Sequence, residues 1–343
     1  MNPKMTTADR LCTIVLIAVC AIGGCGRSHD NEVVLYSSVD DYVLDEVVAA
    51  FEGETGVRVV LLGDTEATKT TGLVERLLSE RDRPRGDVWW SSEPFGTIRL
   101  GGYGVLEPAT TVNESDFDEG WPASMRGDTW YGFALRSRVI AYATDRVEAD
   151  EAPVSLDELT GERWSGRVGI ARPQFGTTRG HMAALVDAWG AERFEDWLGG
   201  LEKNGLRVYD GNASVVRAIA HGEIDVGLTD TDDVYAAQRN KWDVAFVPLD
   251  IEHKGEGWAG VPFWIPNTAG LVAGGPNSEH AQQLLDFILS AEVEHMIART
   301  DSRNTPIRPG DGHETVGSHG ANYAEIAGRI PEAMAICERV LGP

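Results

Sequence analysis

The stretch EVVLYSSVDDYVLDEVVAAFEGETGVRVVLLG, residues 32–63, decides the fold. EVVLYSS is rich in apolar and β-branched residues and reads as a buried strand. In DYVLDEVVAAFEGETG, Val43, Val47 and Phe51 recur at i, i+4 and i+8 with Leu44 and Val48 beside them, which predicts an amphipathic helix. Gly56 stands where a helix C-cap needs a left-handed backbone, and VRVVLLG begins a second strand. A strand, a helix and a strand in this order predict two parallel strands joined by a right-handed crossover.

The alternation continues outward. TTGLVERLLSERDRPRG predicts a helix with Leu73, Leu77 and Leu78 inward, DVWW a strand, and PFGTIRLGGYG a short helix ended by glycines. YGFALRSRVIAYAT, residues 131–144, predicts one long extended segment. Its Arg136 and Arg138 interrupt an apolar run, as suits a segment that leaves one domain and enters another. A second α/β region follows: SLDELTGERWSG predicts a helix and turn, and the strands RVGIARP, LRVYD, DVGLTD and DVAFVPLD are separated by helices. VPFWIPNTAGLVAGG predicts the return crossing, followed by helices that rejoin the first domain and a closing helix. The expected architecture is α/β in two lobes, each a mostly parallel sheet flanked by helices, with two extended crossings. Lobe 1 takes residues 33–135 and 262–343, and lobe 2 takes 136–261.

The N-terminal segment reads differently. Lys4 and Arg10 flank the start of LCTIVLIAVCA, an apolar run too short to span a hydrocarbon core of ~30 Å as a helix. IGGC, ending at Cys25, resembles a lipobox. That resemblance implies a signal peptide over residues 1–24, acylation of Cys25, a tether over 25–32, and export to the periplasm on an N-terminal lipid. The alternative is an ordinary secretory signal with Cys25 incidental. With Cys25 acylated, Cys337 has no partner, so no disulfide framework is expected, and its helical face with Met334 and Leu341 predicts an inert buried thiol. The net charge of −24, from 54 acids and 30 bases, argues against nucleic acid or an anionic membrane surface as partner.

In open α/β sheets ligands sit beyond the carboxyl ends of the strands. Asp40 and Asp41 follow the first strand, Asp64 the second, and Glu93 the third. DVGLTDTDDVY places Asp230, Asp232 and Asp233 within four positions. At ~5 Å and an effective dielectric of ~20, each such like-charge pair costs ~3 kcal/mol before screening. Helix capping explains one acid per turn, Asp232 or Asp233 here, and leaves the others to a captured cation. FGTTRG has the opposite character: a helix start with Thr177, Thr178 and Arg179 suits an anion, and Asn212 can add an amide donor. A cleft lined by both clusters would take a cation with a companion anion, or a zwitterion. Oxygen-only ligands suit hard cations. Trp89, Trp90, Trp258 and Trp264 can pack a core or an organic cation.

Together VVLYSSVDD…AFEGETGVRV, RPRGDVWWSSEP, RSRVIAYAT, NGLRVYDGNASVVRAIAHGEIDVGLTD and IPNTAGLV resemble the periplasmic solute-binding proteins of ABC importers, type 2 fold, in their ferric-ion-binding branch. The resemblance implies a monomeric, non-enzymatic binder that closes two lobes on a small ligand and delivers it to a membrane permease. It implies no cofactor, and a metal ion only as cargo. Glu93 matches the acid those relatives place after the third strand. Asp40 stands in place of a histidine, and Asp232 and Asp233 in place of a tyrosine pair. Gly176 to Thr178 with Asn212 resemble the companion-anion loop. The metal set is then Asp40, Glu93, Asp232 and Asp233, for iron(III) or another hard cation. An amine-bearing or zwitterionic solute is the alternative cargo, and a hydrolase pairing Glu93 with Asp232 is a third reading.

Overall fold

The opening unit forms as its pattern dictates. β1 (Glu32–Ser37) and β2 (Arg58–Gly63) are parallel, running from Glu32 opposite Arg58 to Ser37 opposite Gly63. Between them α1 (Asp41–Thr55) buries Val43, Leu44, Val47 and Phe51. It ends at Gly56, whose φ of 71° lets its N–H reach Glu52 O. The structure, a computed structural model, describes residues 31–63, 71–118, 120–249, 263–308 and 321–342. The leader, Cys25, most of the tether, Asp64 and Trp258 lie outside the described residues.

α2 (Thr71–Glu80), β3 (Val88–Ser91) and α3 (Pro94–Gly102) complete the first alternation. α2 buries Leu73, Val74 and Leu77, while Leu78 lies on the flank, because the buried stripe follows the i, i+1, i+4 positions. Trp89 and Trp90 are fully buried, so these tryptophans are core. Two short strands, β4 (Leu106–Glu107) and β5 (Arg126–Gly127), lead to β6 (Trp130–Ala143), buried along its whole length. The expected helix in SLDELTGERWSG is instead two 3-10 turns, with Gly161 interrupting them.

The second region contains β7 (Val168–Ala171), α4 (Gly176–Trp189), α5 (Ala191–Lys203), β8 (Arg207–Tyr209), α6 (Asn212–Ala220), β9 (Val226–Asp230), α7 (Thr231–Arg239) and β10 (Val244–Pro248). β11 (Trp264–Val272), α8 (Ser278–Ile288), α9 (Ala291–Arg299) and α10 (Tyr323–Leu341) follow. The strand order is β2-β1-β3-β11-β6-β9-β7-β8, with β10 on the other flank of β6. The β1–β2, β1–β3, β7–β8 and β7–β9 pairs are parallel. β6 serves both halves. Its first part, Tyr131 to Ser137, pairs antiparallel with β11, and its second, from Arg138, lies between β9 and β10.

A bend marks the passage. Ala134 has φ 44°, a left-handed conformation that costs an L residue about 1–2 kcal/mol. Its surroundings hold it there. The Ala134 N–H donates to Glu294 Oε1 at 3.0 Å, and its carbonyl accepts from Asn267 at 2.7 Å and Asn304 at 3.1 Å. The partner strand shifts register at Pro266 and Asn267.

α10 packs against α4, α5 and α3. α4 comes so near α3 that a Cβ on Gly180 would stand 1.9 Å from Phe95 Cε2. Cys337 is buried on α10, and burial pushes its thiol up to about 12, so it stays protonated and inert. Among the described residues no helix is long and apolar enough to cross a membrane.

Candidate functional site

The register of β6 on β9 builds the site. Arg138 sits opposite Asp230, and Arg136 lies two residues earlier on the same face of the strand. Arg138 Nη1 is 2.7 Å from Asp230 Oδ1, and Arg136 Nε is 3.4 Å from Oδ2. Thr177 Oγ1 donates to Oδ2 at 2.6 Å and Asn212 Nδ2 at 3.0 Å. Asp230 is 2% exposed. Burial alone would raise its carboxyl, but Arg138, Arg136 and the Thr177 hydroxyl outweigh it and hold the group below the usual carboxylate range.

This corrects the expectation that only a captured cation relieves the acidic turn: the chain supplies two guanidinium groups of its own. Arg136 Nε also lies 3.5 Å from Asp232 Oδ2. Burial opposes the charge of Arg136, but Asp232, Asp230, Asp40 and Asp233 raise its pKa further, so it remains a cation. The sequence signal was present in R-x-R on an extended segment, which puts both arginines on one face. What was hidden is that this face meets the acidic turn.

Asp230, Asp232 and Asp233 offer oxygens that all lie within 4.8 Å of one another. Asp230 takes the N-cap position of α7, without a side-chain capping bond, so neither Asp232 nor Asp233 is the cap expected of one of them. Both stand in the first turn, where the helix dipole favours negative charge. Asp233 accepts from Thr229 Oγ1 at 3.0 Å, and its own N–H donates to Asp232 Oδ1 at 3.1 Å. Asp40 likewise precedes α1 without a side-chain capping bond.

These acids and the Thr177 cluster do face one cleft. A cavity of about 80 Å³ is lined by Asp40, Ser92, Arg136, Thr177, Thr178, Asn212, Asp230, Asp232 and Asp233, with Arg172 and Asp210 also on its wall. That is room for several waters or a small solute. A second cavity of about 30 Å³ adjoins it, sharing Asp40, Ser92, Arg136 and Asp232 and adding Tyr42, which the sequence reading missed. Burial and the charges of Asp232, Asp40 and Asp233 raise the Tyr42 phenol, so it stays protonated.

Glu93 is not in this wall. It is fully buried as the N-cap of α3, taking the N–H groups of Phe95 at 2.7 Å and Gly96 at 2.9 Å on its two oxygens. Burial raises its pKa against the pull of Arg179 and those N–H groups. Ser92 faces the cavity instead, which removes Glu93 from the metal set and dissolves the Glu93–Asp232 hydrolase pair. The anion-side residues are engaged already. Asn212 Nδ2 donates to Thr177 Oγ1 at 2.9 Å, and Thr178 Oγ1 donates to Asn212 Oδ1 at 3.3 Å. His181 is fully buried, stacks on Phe263 with centroids 6.0 Å apart, and is held neutral by burial and by Arg138. Tyr235 packs edge-on against Phe246 and under Arg303, away from the cavity wall.

Known proteins resemble this chain along most of its length. Residues 46–310 match the family model described as bacterial extracellular solute-binding protein. Iron uptake protein A1 of Synechocystis sp. is 26% identical over 310 residues, covering 84% of this chain and 82% of that protein. The major ferric iron-binding protein of Neisseria meningitidis is 26% identical over 270 residues, 78% of each chain. The crystal structure of iron-bound HitA from Pseudomonas aeruginosa superposes with a TM-score of 0.76 at 24% identity, over 90% of this chain and 99% of that one. The two-lobed fold of the periplasmic binding proteins is therefore shared.

Proposed function

Since the chain belongs to the bacterial extracellular solute-binding proteins, we propose that it is the extracytoplasmic receptor of an ABC importer that captures a hard cation, iron(III) or similar. The observation that carries this reading is the convergence of Asp40, Asp232, Asp233 and Asp230 on one cavity. Carboxylate oxygens favour hard ions, and a cation there would screen the mutual repulsion of the acids. The names of the relatives, iron uptake and ferric iron-binding proteins, support the same cargo. Asp40, Asp232 and Asp233 hold the ion in this reading, and Arg136, Thr177, Thr178 and Asn212 form the opposite wall. Lobe 1 (33–135 and 262–343) and lobe 2 (136–261) close on it as a monomer, and a membrane permease receives it. No bond is made or broken. Acylated Cys25 tethers the protein at the membrane.

Arg136 beside the carboxylates also favours a second reading, a small zwitterion whose amine meets the acids and whose anionic group meets the guanidinium. Native mass spectrometry of freshly purified protein, with elemental analysis, separates the two. The first reading predicts one hard metal ion per chain. An organic adduct without metal supports the second. Failure to retain ferric ion, with no organic adduct, overturns both.

A further inference from the structure

Four donors surround the Asp230 carboxylate: the guanidinium groups of Arg136 and Arg138, the hydroxyl of Thr177 in the first turn of α4, and the amide of Asn212 at the start of α6. Cationic donors, a hydroxyl, an amide and the opening turn of a 14-residue helix are what a small oxyanion binds. That place is filled from within, by a side chain that is 2% exposed. The register of β9 on β6 fixes it there, because Asp230 is the cross-strand partner of Arg138. Asn212 also bonds Thr177, and Thr178, the remaining hydroxyl of the anion wall, donates to Asn212.

We propose that Asp230 is a built-in counter-anion, so that this protein binds its cation without recruiting an anion from solution. The inference rests on the cation reading above and narrows it: the cargo is the metal ion itself, not an ion accompanied by carbonate, phosphate or a carboxylate. Asp230 is then a specificity-determining residue. It fixes the charge beside the cation and leaves the donor cage closed to outside anions. Asp232 and Asp233, on the cavity side of the same turn, are the groups left to contact the ion.

The test uses terbium(III), a hard trivalent probe that stays soluble without a chelator at mildly acid pH. It is titrated calorimetrically into the protein in buffer free of carbonate, phosphate and carboxylates, then again with millimolar formate or bicarbonate. The wild-type affinity is expected to change by less than about twofold on adding either anion. Asp230→Ala, which vacates the cage, should bind terbium at least about tenfold more weakly, and formate should restore most of that loss by entering the cage. Asp230→Asn should also bind weakly but gain nothing from formate, since the amide still fills the place. A wild-type affinity that rises about tenfold with formate or bicarbonate overturns the inference, as does an Asp230→Ala variant indifferent to formate. If Asp230→Ala does not fold, the wild-type anion titration decides alone. Anion-dependent binding would sink this inference while leaving the cation reading intact. Absence of terbium and ferric binding under every anion condition would sink both.

Discussion

Asp230 and Glu294 are both buried carboxylates held by arginine, and they end in opposite surroundings. Glu294 accepts the N–H of Ala134 at 3.0 Å, the N–H of Ile307 at 2.9 Å and Nη1 of Arg308 at 2.9 Å. Arg308 is covered by the rings of Phe117 and Trp121, 5.1 Å and 5.0 Å from its guanidinium carbon. It also meets Asp116 and the carbonyl of Leu289. There the pair pins the left-handed residue of β6 and is closed off by aromatic rings. Asp230 has four donors to the three of Glu294, but one of its arginines also faces a cavity and a second acid, Asp232. The lesson is that burial of a charge pair does not mark a ligand site. A surplus of like charge beside open volume does.

The comparison can be broken first at the closed pair. Glu294→Ala leaves Arg308 buried without its main partner and frees the N–H groups of Ala134 and Ile307. Urea unfolding should show a loss of about 3–5 kcal/mol. A loss below about 1 kcal/mol would mean that the hub is not what holds the bend.

At the open site the expected effect is on binding. Asp232→Ala combined with Asp233→Ala should weaken ferric binding about 100-fold or more, close to 3 kcal/mol, with circular dichroism unchanged. Unaltered affinity in calorimetry would reduce both residues to charges in a helix first turn.

A smaller effect sharpens the contrast through pH. The folded-state pKa of Asp230 is lowered, so its stabilisation is present above the ordinary aspartate range near pH ~4 and is lost as pH falls through the lower folded-state value. Asp230→Asn should flatten that acid limb, whose slope is at most about 1.4 kcal/mol per pH unit for one proton. A limb identical to that of the wild type would place the titration elsewhere.

The smallest change is expected at the cap. Glu93→Gln should leave ferric affinity within about threefold and cost about 1 kcal/mol or less of stability. A large loss of affinity would return Glu93 to the ligand set.

Much of the fold was legible because it is written in short-range periodicity. The i, i+4, i+8 stripe of α1 and the Gly56 cap needed no distant information. The largely apolar residues 131–144 likewise announced one long extended segment, which is β6, buried even at Arg136 and Arg138. The two polar clusters were legible as strand-end clusters, and the structure brings them to one cavity. What escaped was long-range pairing: Arg138 and Asp230 lie 92 residues apart, and only the β6–β9 register brings them together. Glu93 escaped for a local reason. Pro94 drives the preceding residue into the extended region, and Glu93 at φ −154° and ψ 157° has the N-cap conformation that propensity alone would have given to Ser92. The 3-10 turns at residues 157–164 show the same limit, since Gly161 broke an otherwise helical stretch.

The central claim is that the acidic cavity is where a cation rides. An anomalous-scattering map of crystals grown with ferric ion tests it most directly. The account predicts a single strong iron peak within about 2.5 Å of carboxylate oxygens of Asp232 and Asp233, with Asp40 alongside. A crystal in which Asp232 remains paired with Arg136, the cavity shows no peak, and iron lies only on the outer acidic surface would contradict it.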